Sequence, residues 1–363
     1  MAPDRLRSRR AYIDWARGVA VLLMIEAHTL DAWTRPASRV GRPFAYAAIL
    51  GGFAAPLFLW LVGVGVALSA ASVWRRSGSR ATALDAICRR GLEIFVLAFL
   101  FRLQSFVVTP GSYPVMLFRV DILNVMGPAM VAAGLVWGLI SKPARLVAIY
   151  AALACAVAMV TPLERMWAVV DTLPTWVQWY LRPAGDYTAF TLFPWAGFVF
   201  AGAACGVVLT LARDAAAERR VHLGLFAAGV AVLGVGVLTM SRPTIYPQSS
   251  FWTSSPTYFA IRAGILAMAL ALMYAIAQAG ERHGIRLAAL ERLGQSSLFI
   301  YWIHVELVYG YTTWPIRHRL PLWGTAIACA VFSALMYAAI GWRDRLVDGW
   351  RARRLYNAKD ITL

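Results

Sequence analysis

Two histidines sit in apolar surroundings beside acidic and hydroxylated neighbours. The stretch IDWARGVAVLLMIEAHTLDAW, residues 13–33, carries Asp14, Arg17, Glu26, His28 and Asp31. A helix turns about 100° per residue, so positions 11 apart differ by about 20° and lie about 16 Å apart along the axis. Arg17 and His28 therefore share one face. Asp14 precedes Arg17 by three and Asp31 follows His28 by three, which puts both near the same stripe. Glu26 points to another face and needs a different partner. In GQSSLFIYWIHVELVYG, residues 294–310, Ser297, Tyr301 and His304 follow a 4-then-3 spacing and share a face. His304 lies about 15 Å along this segment by helical rise, and Glu306 is nearby but off that face. An imidazole titrates near neutral pH, so these positions suit proton removal or relay.

The elements that must hold them are membrane helices. About 60% of the residues are hydrophobic and 15% are charged, whereas a soluble chain is nearer half apolar and a quarter charged. Apolar runs of about 20 residues recur along the chain, as spanning helices require. The expected fold is an all-α, polytopic membrane protein of about ten transmembrane helices. They fall at 15–33, 45–72, 87–107, 119–140, 145–161, 191–212, 221–240, 258–279, 295–313 and 321–342. The whole chain, 1–363, reads as a single membrane domain, with helices over 12–342 and a basic tail over 343–363. The basic start RLRSRR and the apolar run after it resemble a signal peptide. Asp14, Arg17 and Glu26 interrupt that run, so it reads as an uncleaved first span.

In this setting an ionisable residue at the bilayer centre costs about 2.5–3.5 kcal/mol and marks a functional site by default. The alternative is interhelical hydrogen-bond glue. The net charge of +17 reads as loop charge on the cytoplasmic side, not as a nucleic-acid surface. With both termini cytoplasmic, 23 of the 35 Lys and Arg fall in inside segments and 8 in outside loops, as the positive-inside rule expects. The outside segments around 34–44, 162–190 and 241–258 are rich in Trp, Tyr, Pro, Ser and Thr. Such aromatics serve as interface anchors or as platforms for sugar rings. Cys88, Cys155, Cys205 and Cys329 stand singly, with no metal spacing and no disulfide pattern.

R-x10-H on a first membrane helix, here Arg17 to His28, resembles the acyltransferase-3 family and the wider transmembrane acyltransferase superfamily. The pattern from Ile13 to His28, (I/L)D-x-x-RG-x-A-x-x-x-M-x-x-x-H, looks closest to the branch of the heparan-alpha-glucosaminide N-acetyltransferase catalytic domain and its bacterial relatives. APLFLWLVGVGVAL (55–68), FRVDILNVMG (118–127) and LFPWAGFVFAGAACG (192–206) are similar to later segments of that branch. SSLFIYWIH (296–304) is similar to the late S-x-x-x-Y-x-x-H helix of acyltransferase-3 proteins.

The resemblance implies a multi-pass enzyme of a bacterial cytoplasmic (inner) membrane. It would move an acyl group, commonly acetyl, from cytoplasmic acyl-CoA to a hydroxyl or amine, commonly on a sugar, envelope glycan or glycolipid. Acyl-CoA would be a co-substrate; no cofactor is bound permanently and no metal is expected. Partners would be membrane lipids, acyl-CoA and the acceptor, and not nucleic acid. By position, Arg17 and His28 match the family's functional pair, with His28 catalytic as a base or as an acyl carrier. Asp31 or Glu26 could orient it. Tyr301, Ser297 or Asn124 could donate to the oxyanion, and His304 could polarise acceptor or carbonyl. Arg17, Arg89 and Arg90 are the candidates to hold the CoA phosphates, against a reading of Arg89 and Arg90 as loop charges. Glu26, Arg119, Asp121, Asn124 and Ser297 are candidates for the acceptor side. Arg119 and Asp121 each need a partner across helices, with Asp31 and Arg102 as options. The competing function is a proton-coupled secondary transporter that uses the buried His and carboxylates as a relay. Such folds often show paired broken helices in two halves, and none is visible here.

Overall fold

The structure, a computed structural model, describes residues 10–108 and 113–360, with side chains described through residue 350. The basic residues of the first nine positions, and the last three positions with the tail side chains from 351 onward, lie outside the described residues. Among the described residues the fold is all-helical, with thirteen α-helices and only two isolated β-bridges. The helices are α1 (Ala11–Trp33), α2 (Gly41–Gly51), α3 (Ala54–Ser77), α4 (Arg80–Val108), α5 (Ile122–Leu139), α6 (Pro143–Glu164), α7 (Thr175–Leu181), α8 (Leu192–Thr210), α9 (Ala215–Met240), α10 (Pro256–His283), α11 (Ala288–Gln295), α12 (Ser297–Tyr309) and α13 (Leu322–Asp360). The protein is a polytopic membrane protein.

Each of the ten expected spans coincides with helix. Eight stretches are long and apolar enough to cross a bilayer by length and composition. The other two are the helices that carry His28 and His304. α1 holds five ionisable residues, and α12 has only 13 residues. The segment expected as one helix over 45–72 is instead two, α2 and α3, which meet at Gly51 and Gly52. The helix expected over 295–313 is shorter and stops at Gly310.

The chain divides into two compact units, Met1–Ala16 with Ala55–Arg286, and Arg17–Ala54 with Leu287–Leu363. In the first, helices approach at backbone contact. A Cβ on Gly63 of α3 would strike the carbonyl oxygen of Val199 on α8, and one on Gly202 of α8 would strike that of Trp60 on α3. Small residues permit this approach where no hydrophobic force drives helices together. Gly63→Val is expected to destabilise the protein by about 1–3 kcal/mol or more through overpacking, read as a lower melting temperature in detergent.

Candidate active site

The second unit is built so that the end of α1 and the region after α12 are fixed to each other. The backbone amides of His318 and Leu320 donate to the carbonyls of Ala32 and Trp33 at 2.9 Å each, and that of Arg35 donates to Leu320 at 2.9 Å. The Trp33 indole donates to the Val308 carbonyl at 3.2 Å, and Thr34 and Thr325 share a hydroxyl hydrogen bond at 3.0 Å. At the other end of this part of α1, Gly18 lies against the backbone of Leu290 in α11. This part of α1 is therefore held near both ends and is tied to α12 at Val308, as a precise site requires.

Between these anchors lies a chain of polar side chains. Tyr309 donates its hydroxyl proton to Asp31 Oδ2 at 2.8 Å, and its oxygen meets His28 Nδ1 at 3.0 Å. With the phenolic proton directed to Asp31, the oxygen accepts from His28, so the network assigns the proton to Nδ1 and the lone pair to Nε2. His304 Nδ1 lies against two carbonyls, those of Ile300 at 2.8 Å and Tyr301 at 3.0 Å. It too must carry its proton on Nδ1. The two imidazole rings lie 5.2 Å apart, and Tyr301 stands edge-on to His304 at 6.0 Å. His304 is fully buried, while His28 is half-buried. Asp31 lies at the exposed rim, where Arg39 approaches within 3.9 Å and donates to His318 Nδ1 at 2.8 Å.

A family model described as heparan-alpha-glucosaminide N-acetyltransferase, catalytic, matches residues 9–240. The chain belongs to this family. No curated protein matches the chain. The matched stretch takes in Arg17, Glu26, His28 and Asp31, and ends before Tyr301, His304 and Tyr309. The protein is thus a membrane protein of an acetyltransferase family, and its paired histidines come from inside and outside the matched region.

The remaining candidates of this acetyltransferase family member fall into distinct settings. Glu26 leaves the His28 stripe, as its spacing requires. Its Oε2 lies against Gly51 of α2, where a side chain would collide with it, and that oxygen is buried with no hydrogen-bond partner among the described residues. Arg17 is half-buried on α1, next to the Gly18 contact. Ser297 begins α12, and its neighbour Ser296 accepts from Arg343 at 3.1 Å. Arg89 pairs with Asp85 at 2.7 Å and Arg90 with Glu93 at 2.9 Å, both exposed.

In the first unit, Asp121 caps α5. Its Oδ1 accepts from the Ile122 amide at 2.7 Å, and its side chain accepts from the Asn124 amide while Asn124 Oδ1 accepts from the Asp121 amide at 2.9 Å, a capping box. Asp121 Oδ2 is bound by Arg102, one of the two partners the charge reading allowed. Asn124 uses its amide protons on Tyr180 Oη at 3.2 Å. Burial pushes the Tyr180 phenol above its ordinary range, with the Asn124 hydrogen bond opposing it, so this hydroxyl stays protonated. Arg119 is half-buried beside this group.

Sequence reasoning missed Tyr309. It sits five positions beyond His304, about 140° around the helix, so the periodicity that grouped Tyr301 with His304 set it aside. A hydrogen bond to a charged group is worth about 1.5–3 kcal/mol, or about 10–100-fold in rate. Tyr309→Phe is expected to slow acyl transfer by that factor and to leave the melting temperature nearly unchanged. An unaltered rate in purified Tyr309→Phe protein would remove Tyr309 from the site.

Proposed function

We propose that the protein transfers an acyl group, acetyl by preference, from acyl-CoA to a hydroxyl or amine of a sugar-bearing acceptor. The observation that carries the reading is the Asp31–Tyr309–His28 chain beside His304. Its tautomer leaves His28 Nε2 as a lone-pair acceptor. In the proposed step, that nitrogen takes the proton from the acceptor nucleophile as the latter attacks the thioester carbonyl. The tetrahedral intermediate then collapses and expels the CoA thiolate, which recovers the proton from the imidazolium. Asp31, acting through Tyr309, favours the charged imidazole in the transition state. The Tyr301 hydroxyl donates to the developing oxyanion. Two imidazoles 5.2 Å apart do not readily carry two charges, which suits a neutral His304 beside a His28 that charges as the base.

Arg17 is the proposed contact for a CoA phosphate. Arg89 and Arg90 enter as a basic surface whose local carboxylates must yield to the phosphates. Asp121 and Asn124 support the acceptor side by fixing the start of α5 and aiming Tyr180. Glu26 and Ser297 are proposed to line the path of the acceptor. The proposed setting is the bacterial cytoplasmic membrane, with both termini inside.

The test is direct. Purified protein is incubated with acetyl-CoA and a panel of neutral and amino sugars, with thiol release and acylated sugar followed by mass spectrometry. Transfer to at least one acceptor is the expected result. Proton-gradient-driven uptake in proteoliposomes without any thioester cleavage would replace this reading with the transporter.

A further inference from the structure

The loop layer after α6 contains charged groups that the chemistry above does not use. Glu164, the last residue of α6, is 2% exposed. Neither carboxylate oxygen has a hydrogen-bond partner among the described residues. Arg182 and Arg165 stand within electrostatic reach of it, and the Nε atom of each is also buried without a partner. The far ends of both guanidinium groups are occupied. Arg165 donates to the Thr253 hydroxyl at 3.0 Å and to its carbonyl at 3.1 Å. Arg182 donates to Asp171 Oδ1 at 2.6 Å and to the Trp167 carbonyl. The loop thus engages the ends of both guanidinium groups, while both Nε–H groups and the Glu164 carboxylate remain without hydrogen-bond partners among the described residues.

A buried carboxylate without donors is costly, and its surroundings restrict what could complete it. Glu164 and Asp171 balance Arg165 and Arg182 in charge. Two guanidinium groups repel a metal cation, and the carboxylate repels an anion. A neutral group remains, one that donates to the carboxylate and accepts from N–H. A hydroxyl does both, and adjacent hydroxyls would span the three side chains. We propose that Glu164, Arg165 and Arg182 form a binding site for the vicinal hydroxyls of a neutral sugar. The chain after Arg165 runs in single-turn and two-turn pieces at Ala168–Thr172, Thr175–Leu181 and Gly185–Tyr187. Such irregular segments open locally more readily than long helices. The assignment rests on the sugar-acyltransferase reading, and the sugar it would hold is the acceptor.

The test measures binding of methyl α-glucoside to the full-length protein in detergent by calorimetry, with no acyl donor present. The wild type is expected to bind, and Glu164→Gln to bind about tenfold more weakly or worse. Its melting temperature should not fall, because the substitution removes a buried charge that lacks donors. Equal binding by the two proteins, or no binding by the wild type, overturns the proposal. If Glu164→Gln does lower the melting temperature, Arg165→Lys decides, since it keeps the charge and removes the Nε–H donor. Weaker binding in that variant sustains the site, and unchanged binding overturns it. Glu164-dependent sugar binding without any acyl transfer would sustain the site and sink the acyltransferase reading. Transfer with an unaltered KM for the sugar in Glu164→Gln would do the reverse.

Discussion

His28→Ala is expected to lower acyl transfer by about 10²–10⁴-fold, the range lost when a positioned general base is removed. The large effect follows from the base role proposed for His28. His28 Nδ1 is committed to Tyr309, which is itself committed to Asp31, so the proposed step places the base at Nε2. The variant should still insert and fold. Contacts through Ala32, Trp33, Thr34 and Arg35 also join α1 to α12 and the region after it, and His28→Ala leaves these in place. Initial rates and melting temperature, measured on the same preparation, separate the two effects. Asp31→Asn should give a smaller loss than His28→Ala, because it weakens the support of the charged imidazole without removing the base. His304→Ala should lower the rate as well, and the double variant with His28→Ala should lose far less than the product of the two, as groups that act together do. Transfer at the wild-type rate in His28→Ala would end the assignment of this histidine as the base.

Much of this site was legible because helical periodicity is local. Arg17, His28 and Asp31 share a stripe through spacing alone, and Tyr301 and His304 share another. The meeting of the two stripes was not legible. His28 and Tyr309 are 281 positions apart, and no short-range pattern encodes a contact across that separation. The end of α12 at Tyr309 is what turns its hydroxyl toward α1, and that depends on a helix boundary, the least regular part of any element. Other features could have been read more fully. Asp121-Ile-Leu-Asn124 before an apolar run is a helix-start signature, which points to a capping role before any ligand is invoked. Asp85 and Glu93 lie four and three positions from Arg89 and Arg90, so their local pairing was also visible. The break between α2 and α3 falls at a Gly-Gly pair inside an apolar run, where hydropathy alone continues the helix. Glu164 drew no attention because a single carboxylate at the end of an apolar run looks like an ordinary boundary residue. Only its burial sets it apart.

The second large effect is expected at Asp121, and it concerns folding more than chemistry. Asp121 is 8% exposed. It caps α5 through the Ile122 amide and binds Arg102, whose side chain is 11% exposed. Asp121→Ala removes both interactions. Loss of the cap costs about 1 kcal/mol. Removing one partner of a buried ion pair costs about 3–5 kcal/mol, because the remaining charge stays in a poor solvent. The variant should therefore melt well below the wild type. Arg102→Leu combined with Asp121→Asn should recover much of the loss, since asparagine still caps a helix and no charge is stranded. If Asp121 served mainly as an acceptor ligand, the order would differ. Asp121→Ala would then keep a near-native melting temperature and raise KM for the sugar, and the double variant would restore nothing. Melting temperature and KM, measured for the wild type and these two variants, decide between a structural frame and a ligand at this position.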